Sequence, residues 1–461
     1  MRKTYDIAGD LDTPVSAFMK LGAFQPRFLL ESVEGGERLG RYSFIGFGDS
    51  VEYRLDSDAL YLNGVRSEAP TDRDALLASL RDALARVARP QPEITHVPLA
   101  GGLVGYAAYD VVRWFEKLPA HTSPVAGTPL MHYVAPRSML VFDHLTRGIA
   151  VLHAGPESER ESLRREIVRA LRGGLPNGGT RGSHGAPRPS LARREYIERV
   201  QRAKEAIAAG DVYQLVLSAK FSGRHDLDPF QVYRALRLIN PSPYLYYCRL
   251  GEHTVVGSSP EALVKLQEGK AQLRPIAGTR PRADDPAIDA AHEAALRADP
   301  KENAEHVMLV DLARNDLGRV ASAGSVRVAP YRAIERYSHV MHMVSGVHGT
   351  LAPGRDAFDL FAAAFPAGTL VGAPKVRAMQ LIDELEPVRR GLYGGTIGYF
   401  GAQGDMDQAI TIRTLVFNGD EYSFQAGAGI VADSDPDAEY DEVSAKGAAL
   451  VRALALAEEG L

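Results

Sequence analysis

Between Gly173 and Pro189 the chain reads GGLPNGGTRGSHGAPRP, dense in glycine and proline with almost nothing to bury. Such a run is a flexible linker or a long surface loop, so any core has to come from the blocks on either side, residues 1–172 and 190–461. In the first block, strand-like VEYRL (51–55) and GIAVLHA (148–154) alternate with a helical DALLASLRDALARVA (74–88). In the second, REYIERVQRAKEAIAAGD is an amphipathic helix with a glycine stop, followed by strand-like VYQLVLSAKF. Helices and strands mix in both blocks without the cadence of a doubly wound sheet and without a fixed-period repeat. This predicts an α/β fold of the α+β type.

Composition narrows the function classes. The 53 basic and 58 acidic residues, net charge −5, give no overall attraction to nucleic acid. No apolar run reaches the roughly 18 residues of a membrane span, and the opening MRKTYDIAGD lacks the apolar core and cleavage site of a signal peptide. A cytoplasmic protein without membrane contact is expected. The single cysteine, Cys248 in YLYYCRL, excludes an intrachain disulfide framework or thiolate zinc site and reads as a packing residue.

Several stretches can carry chemistry. KENAEH (301–306) sets Glu302 and Glu305 three residues apart behind Asp299-Pro300, a cap followed by proline at the first helical position, so both share one helix face. Alone, the pair reads as a solvated face. AEYDE (438–442) repeats the spacing with Glu439 and Glu442, just before the helical SAKGAALVRALALAEE. Two such pairs can converge on a hard cation such as magnesium, which prefers oxygen ligands. FPAGTLVGAPKV offers a glycine-rich helix start able to hold an anion through free N–H groups, but it is not a Walker A loop. QAGAGIVAD (425–433) either brings backbone N–H groups close to a ligand or turns the chain tightly. Arg413, in the apolar strand-like AITIRTLVF, needs an anionic partner, either a substrate carboxylate or a structural one. His342 in YSHVMHMVSG is a core histidine or a proton-transfer group. Together these features predict a soluble enzyme for a small carboxylate-bearing substrate, with a divalent metal.

The blocks FLLESVEGGERLGRYSFIG, GGLVGYAAYD, GDVYQLVLS, NPSPY, GSSPEAL, RPIAGTRPR, DPKENAEHVMLVDLARNDLGRV, FPAGTLVGAPKVRAMQLIDELEP, YGGTIGYF and QAGAGIVADSDPDAEYDE run collinearly over nearly the whole chain. They resemble the chorismate-utilising enzymes, most closely the anthranilate synthase component I branch. The resemblance implies a large fold with a β-sandwich-like core and surrounding helices. It implies conversion of chorismate and ammonia to anthranilate and pyruvate through an aminodeoxyisochorismate, the first step of tryptophan biosynthesis, with magnesium as cofactor. Glu305 and Glu442 match direct magnesium ligands, with Glu302 and Glu439 beside them. Gly278, Thr279, Thr369, Tyr393, Arg413, Gly427, Ala428, Gly429 and Lys446 match chorismate-binding positions. Glu261 matches the general acid for the departing ring hydroxyl, and His342 the histidine of the second step. Leu30, Glu31, Ser32, Pro243, Tyr244 and Leu245 resemble a site for inhibitory tryptophan, with Leu245 departing from the methionine common there.

Two positions separate sibling reactions. Relatives that add water carry a lysine base where this chain has Gln214, and aminodeoxychorismate synthases carry a nucleophilic lysine where it has Ala277. The resemblance also implies a separate glutamine amidotransferase subunit, hence a hetero-oligomer, because Cys248 stands in no glycine-flanked nucleophile motif. Two alternatives stay open: aminodeoxychorismate synthase component I, feeding folate, and a non-catalytic chorismate-binding regulatory protein.

Overall fold

Alternation along the strands decides the architecture. In Phe28–Glu31 and Tyr42–Leu55, Leu29 and Ile45 turn to one apolar cluster while Phe28 and Phe44 turn to another. The same split separates Leu245 and Tyr247 from Tyr246 and Cys248 in Tyr244–Leu250. The first cluster includes helix residues such as Leu76, Leu80, Tyr196, Val200 and Tyr233. The buried members of the second come from strands and loops alone, the pattern of sheet packed on sheet. The result is the mixed helix-and-sheet fold that the sequence predicts, seen in a computed structural model that describes residues 5–34, 38–94, 96–119, 121–122, 127–176, 182–337 and 340–461.

Among the described residues, strands from both sequence blocks join one 21-stranded sheet. Phe28–Glu31 pairs antiparallel with Tyr244–Leu250, placing Glu31 opposite Leu245, and Gly102–Ala107 pairs with Thr396–Gly401. Of the Gly173–Pro189 stretch, residues 177–181 lie outside the described residues. At its far end Arg188 and Pro189 pair with Ser222 and Phe221.

Three local readings are corrected. Glu439 and Glu442 do not precede the last helix but stand in its first two turns, because Asp435 caps it and Pro436 opens it. QAGAG is no tight turn: it lies within the strand Glu421–Ile430. The run AITIRTLVF is not one strand, since Met406–Ile410 and Thr414–Asn418 flank an Arg413 held at φ 50°, left-handed backbone that breaks the ladder.

Candidate active site

Two capped helices and a glycine strand build one cavity. Asp299 accepts the N–H groups of Lys301 and Glu302 at 2.9 and 3.2 Å, starting the helix Pro300–Gly318 and setting Glu302 and Glu305 in its first two turns. Asp435 does the same for Pro436–Glu459 by accepting from Ala438 at 2.9 Å. Among the described residues, the strand Glu421–Ile430 pairs beyond Phe424 on one edge only, with Gln214–Arg224. The Gly427 carbonyl accepts from Lys446 Nζ at 3.0 Å instead of from a strand, so Gly427 and Gly429 turn their peptide groups to the open edge. Side chains would not fit there. A Cβ on Gly427 would lie 2.6 Å from the Tyr393 hydroxyl, and one on Gly429 would lie 2.6 Å from Gln214 Nε2.

The cavity measures about 540 Å³, ample for a substituted six-membered ring. Gly278, Thr279, Thr369, Tyr393, Arg413, Gly427, Gly429 and Lys446 line it, together with Glu261, Gln214, Glu302, Glu305, Glu439 and Glu442. Ala428 does not, because strand alternation buries its side chain in the core on the opposite face. His342 stands one residue back, paired across the strand ladder with Thr279. Its Nδ1 lies 3.2 Å from the Gly278 carbonyl and 3.0 Å from the Thr279 hydroxyl. A carbonyl only accepts, so Nδ1 carries the proton, and burial lowers the imidazole pKa. His342 is therefore neutral near pH 7, with a basic Nε2.

Charge is distributed unevenly around the cavity. Burial pushes the Glu261 carboxyl up to about 7, and the Thr369 hydroxyl, donating to Glu261 Oε1 at 3.0 Å, pulls the other way. Arg413 lines the cavity with no carboxylate partner among the described residues; its guanidinium reaches only Asn240 Oδ1, at 3.3 Å. Of the two partners that the sequence left open, the structural carboxylate is thus absent among the described residues, which leaves a guanidinium free for a ligand. Lys375 is the converse: it donates to the buried Asp316 at 2.7 Å, so the helix start it opens is not a free cationic site.

The four glutamates bring carboxylate oxygens to the cavity from two helices. Gln214 Nε2 donates to Glu305 at 3.2 Å, Arg280 pairs with Glu302 at 3.0 Å, and Lys446 pairs with Glu442 at 2.6 Å. Burial and the neighbouring Glu442 charge raise the Glu439 pKa, a repulsion that a cation would relieve. Among the described residues no three His, Cys, Asp or Glu side chains make a ready coordination sphere. One carboxylate from each helix, completed by water and substrate oxygens, is nevertheless the kind of set that magnesium accepts. His306, the last residue of KENAEH, is no part of it: fully buried, its Nε2 lies 2.6 Å from the Ser345 hydroxyl.

A second cavity of about 940 Å³ gathers Leu30, Glu31, Ser32, Pro243, Tyr244 and Leu245. Glu31 is already held by Tyr233 and by Arg237 at 3.0 Å, so it shapes this cavity rather than offering a free charge. Pro260 and Ala262 line the larger cavity and Glu261 the smaller. Sequence reasoning missed Lys301 and Gln425 in the smaller cavity. It also missed the buried Glu386–Arg390 pair behind Tyr393, signalled only by opposite charges four residues apart in ELEPVRR.

Among the described residues no helix is long and apolar enough to cross a membrane. Residues 25–452 match the model of a chorismate binding enzyme. The chain is 46% identical to anthranilate synthase component 1 of Thermus thermophilus, over 100% of this chain and 98% of that one. It is 45% identical to the same component of Aquifex aeolicus, covering 98% and 94%. The crystal structure of anthranilate synthase component I from Streptococcus pneumoniae superposes with a TM-score of 0.80 at 34% identity, covering 98% of this chain and 100% of that one. With the match spanning the capped starts of both helices, the glycine strand and the cavity between them, the chain belongs to the chorismate binding enzyme family.

Proposed function

We propose that this chain is the large subunit of an anthranilate synthase, converting chorismate and ammonia to anthranilate and pyruvate. One observation carries the reading: Glu261, a carboxyl whose pKa burial raises to about 7, so that a large share of it stays protonated near neutral pH, shares a cavity with a guanidinium that has no carboxylate partner among the described residues and with four further carboxylates. Arg413 and the open peptide edge at Gly427 and Gly429 bind the substrate carboxylates. Glu261 gives its proton to the departing ring hydroxyl, which leaves as water while ammonia forms the C–N bond. His342 serves the second step, in which a ring proton and pyruvate are lost. Magnesium, held by Glu305 and Glu442 with Glu302 and Glu439 in support, would neutralise a substrate carboxylate and fix the ring's orientation. Gln214 has no basic lone pair to activate water, and Ala277 offers no nucleophile, which favours anthranilate over isochorismate and over aminodeoxychorismate.

Residues 190–461 carry this site, and residues 1–172 contribute Leu30, Glu31 and Ser32 to the larger cavity, which we assign to inhibitory tryptophan. Ammonia comes from a separate glutamine amidotransferase subunit, so the working enzyme is a cytoplasmic hetero-oligomer. The test is product analysis after incubating the purified chain with chorismate, magnesium and ammonium, with and without tryptophan. Anthranilate and pyruvate, suppressed by tryptophan, are expected; an aminodeoxychorismate or isochorismate product would overturn the assignment within the family.

A further inference from the structure

Behind the wall of the smaller cavity one guanidinium holds three pieces of that wall. Arg390 and Glu386, both 4% exposed, form a two-pronged ion pair, with Nε 2.9 Å from one carboxylate oxygen and Nη2 2.7 Å from the other. Further donors go to backbone: Nη1 donates to the Leu370 carbonyl at 2.6 Å and Nη2 to the Val216 carbonyl at 2.9 Å. The guanidinium also lies over the Tyr393 ring, 5.5 Å from its centroid, and 4.9 Å from that of Tyr109. Val216, Leu370 and Tyr393 line the 540 Å³ cavity. Glu386 is anchored in turn, because the Ser218 N–H and hydroxyl both donate to it, at 2.9 and 2.6 Å.

A buried ion pair adds little stability over an apolar pair of the same volume. What this one supplies is direction. Leu370 closes the short turn Gly368–Leu370, and the residue before it, Thr369, is the one whose hydroxyl donates to Glu261 at 3.0 Å. Pinning a carbonyl of a three-residue turn fixes the neighbouring side chain as well. We propose that Arg390 is the positioning residue of the acid step: by holding the Leu370 carbonyl it sets the Thr369 hydroxyl against Glu261, and by stacking behind Tyr393 it steadies the ring wall of the same cavity. This rests on the amination reading above, in which Glu261 is the acid, and adds the residue that aims the acid's partner. Arg390 is not among the residues lining that cavity, so it works from behind. Burial and the Thr369 hydroxyl are what set the Glu261 pKa, so an effect of Arg390 on the acid runs through that hydroxyl.

The pH profile of kcat for the full chain, with chorismate, magnesium and ammonium saturating, tests this. Arg390→Lys keeps a positive charge beside Glu386 but gathers its donors on one nitrogen, which cannot span both carbonyls. It should lower kcat about tenfold, the worth of one hydrogen bond, and move the alkaline limb to higher pH by as much as Thr369→Val does. The two substitutions together should move the limb no further than either alone, because both remove the same contact. A purely structural role would lower the melting temperature and leave the limb in place, and that result in a folded Arg390→Lys overturns the proposal. A double variant whose shift is the sum of the two overturns it as well. Should Arg390→Lys fail to fold by circular dichroism, Arg390→Met combined with Glu386→Met, which strands neither charge, decides by the same limb. Failure of the unaltered chain to form anthranilate would instead overturn the amination reading, and is told apart because it precedes any comparison of variants.

Discussion

Glu261 must be protonated to act as an acid, and its carboxyl titrates at about 7. Turnover should therefore fall as pH rises through that value. Thr369→Val removes a hydrogen bond that favours the ionised form, so the alkaline limb of the kcat profile, followed by anthranilate fluorescence, should move to higher pH. The same raised pKa bears on stability. A carboxyl titrating near 4.5 when unfolded and about 7 when folded costs nothing below the first value; its penalty grows as pH rises from the first to the second and is constant above it. At pH 8 the raised pKa costs roughly 3 kcal/mol, so Glu261→Gln should abolish turnover yet melt higher than wild type, a gain absent at pH 4. Arg413 offers a parallel case. Arg413→Gly relieves the left-handed backbone and removes a charge that no carboxylate balances, so it should melt no lower while the chorismate KM rises about 10- to 100-fold. That arginine's identity was legible in the sequence, but its geometry was not. An apolar run reads as a strand whatever the φ of one residue inside it, and no local pattern connects the buried Glu386–Arg390 pair to the cavity it supports behind Tyr393.

At the scale of elements, the helices were the most legible part. Asp299-Pro300 announces a cap, and Asp435-Pro436 announces another that the acidic run behind it obscured. The caps aim the paired glutamates, so Glu305→Gln or Glu442→Gln should abolish magnesium-dependent turnover without changing the helical circular dichroism signal. Partners distant in sequence were illegible. Lys375 opens the helix Lys375–Leu385 but is tied to Asp316, 59 residues upstream and buried. Lys375→Met strands that carboxylate, and urea unfolding should register a loss of about 3–5 kcal/mol.

Across the whole molecule, collinear motifs made the family readable, while the sharing of one sheet by both blocks was hidden behind the glycine-rich stretch. One junction is the ladder that sets Glu31 opposite Leu245 and continues from Tyr244–Leu250 into His253–Ser259, the strand that ends two residues before Glu261. Ser32 sits at the rim of this ladder against Gly40, where a Cβ on the glycine would already be 2.7 Å from that of the serine. Ser32→Phe should fill the larger cavity there, keep anthranilate formation and lose inhibition by tryptophan, as dose–response curves would reveal. The run Pro260–Glu261–Ala262 hands adjacent residues to different cavities. For evolution this means that the two cavities are free to diverge at Leu30–Ser32 but are yoked at residues 260–262. If the larger cavity takes the inhibitor, lineages that escape inhibition should collect their changes on the amino-terminal strand, because any change beside Glu261 reaches both cavities at once.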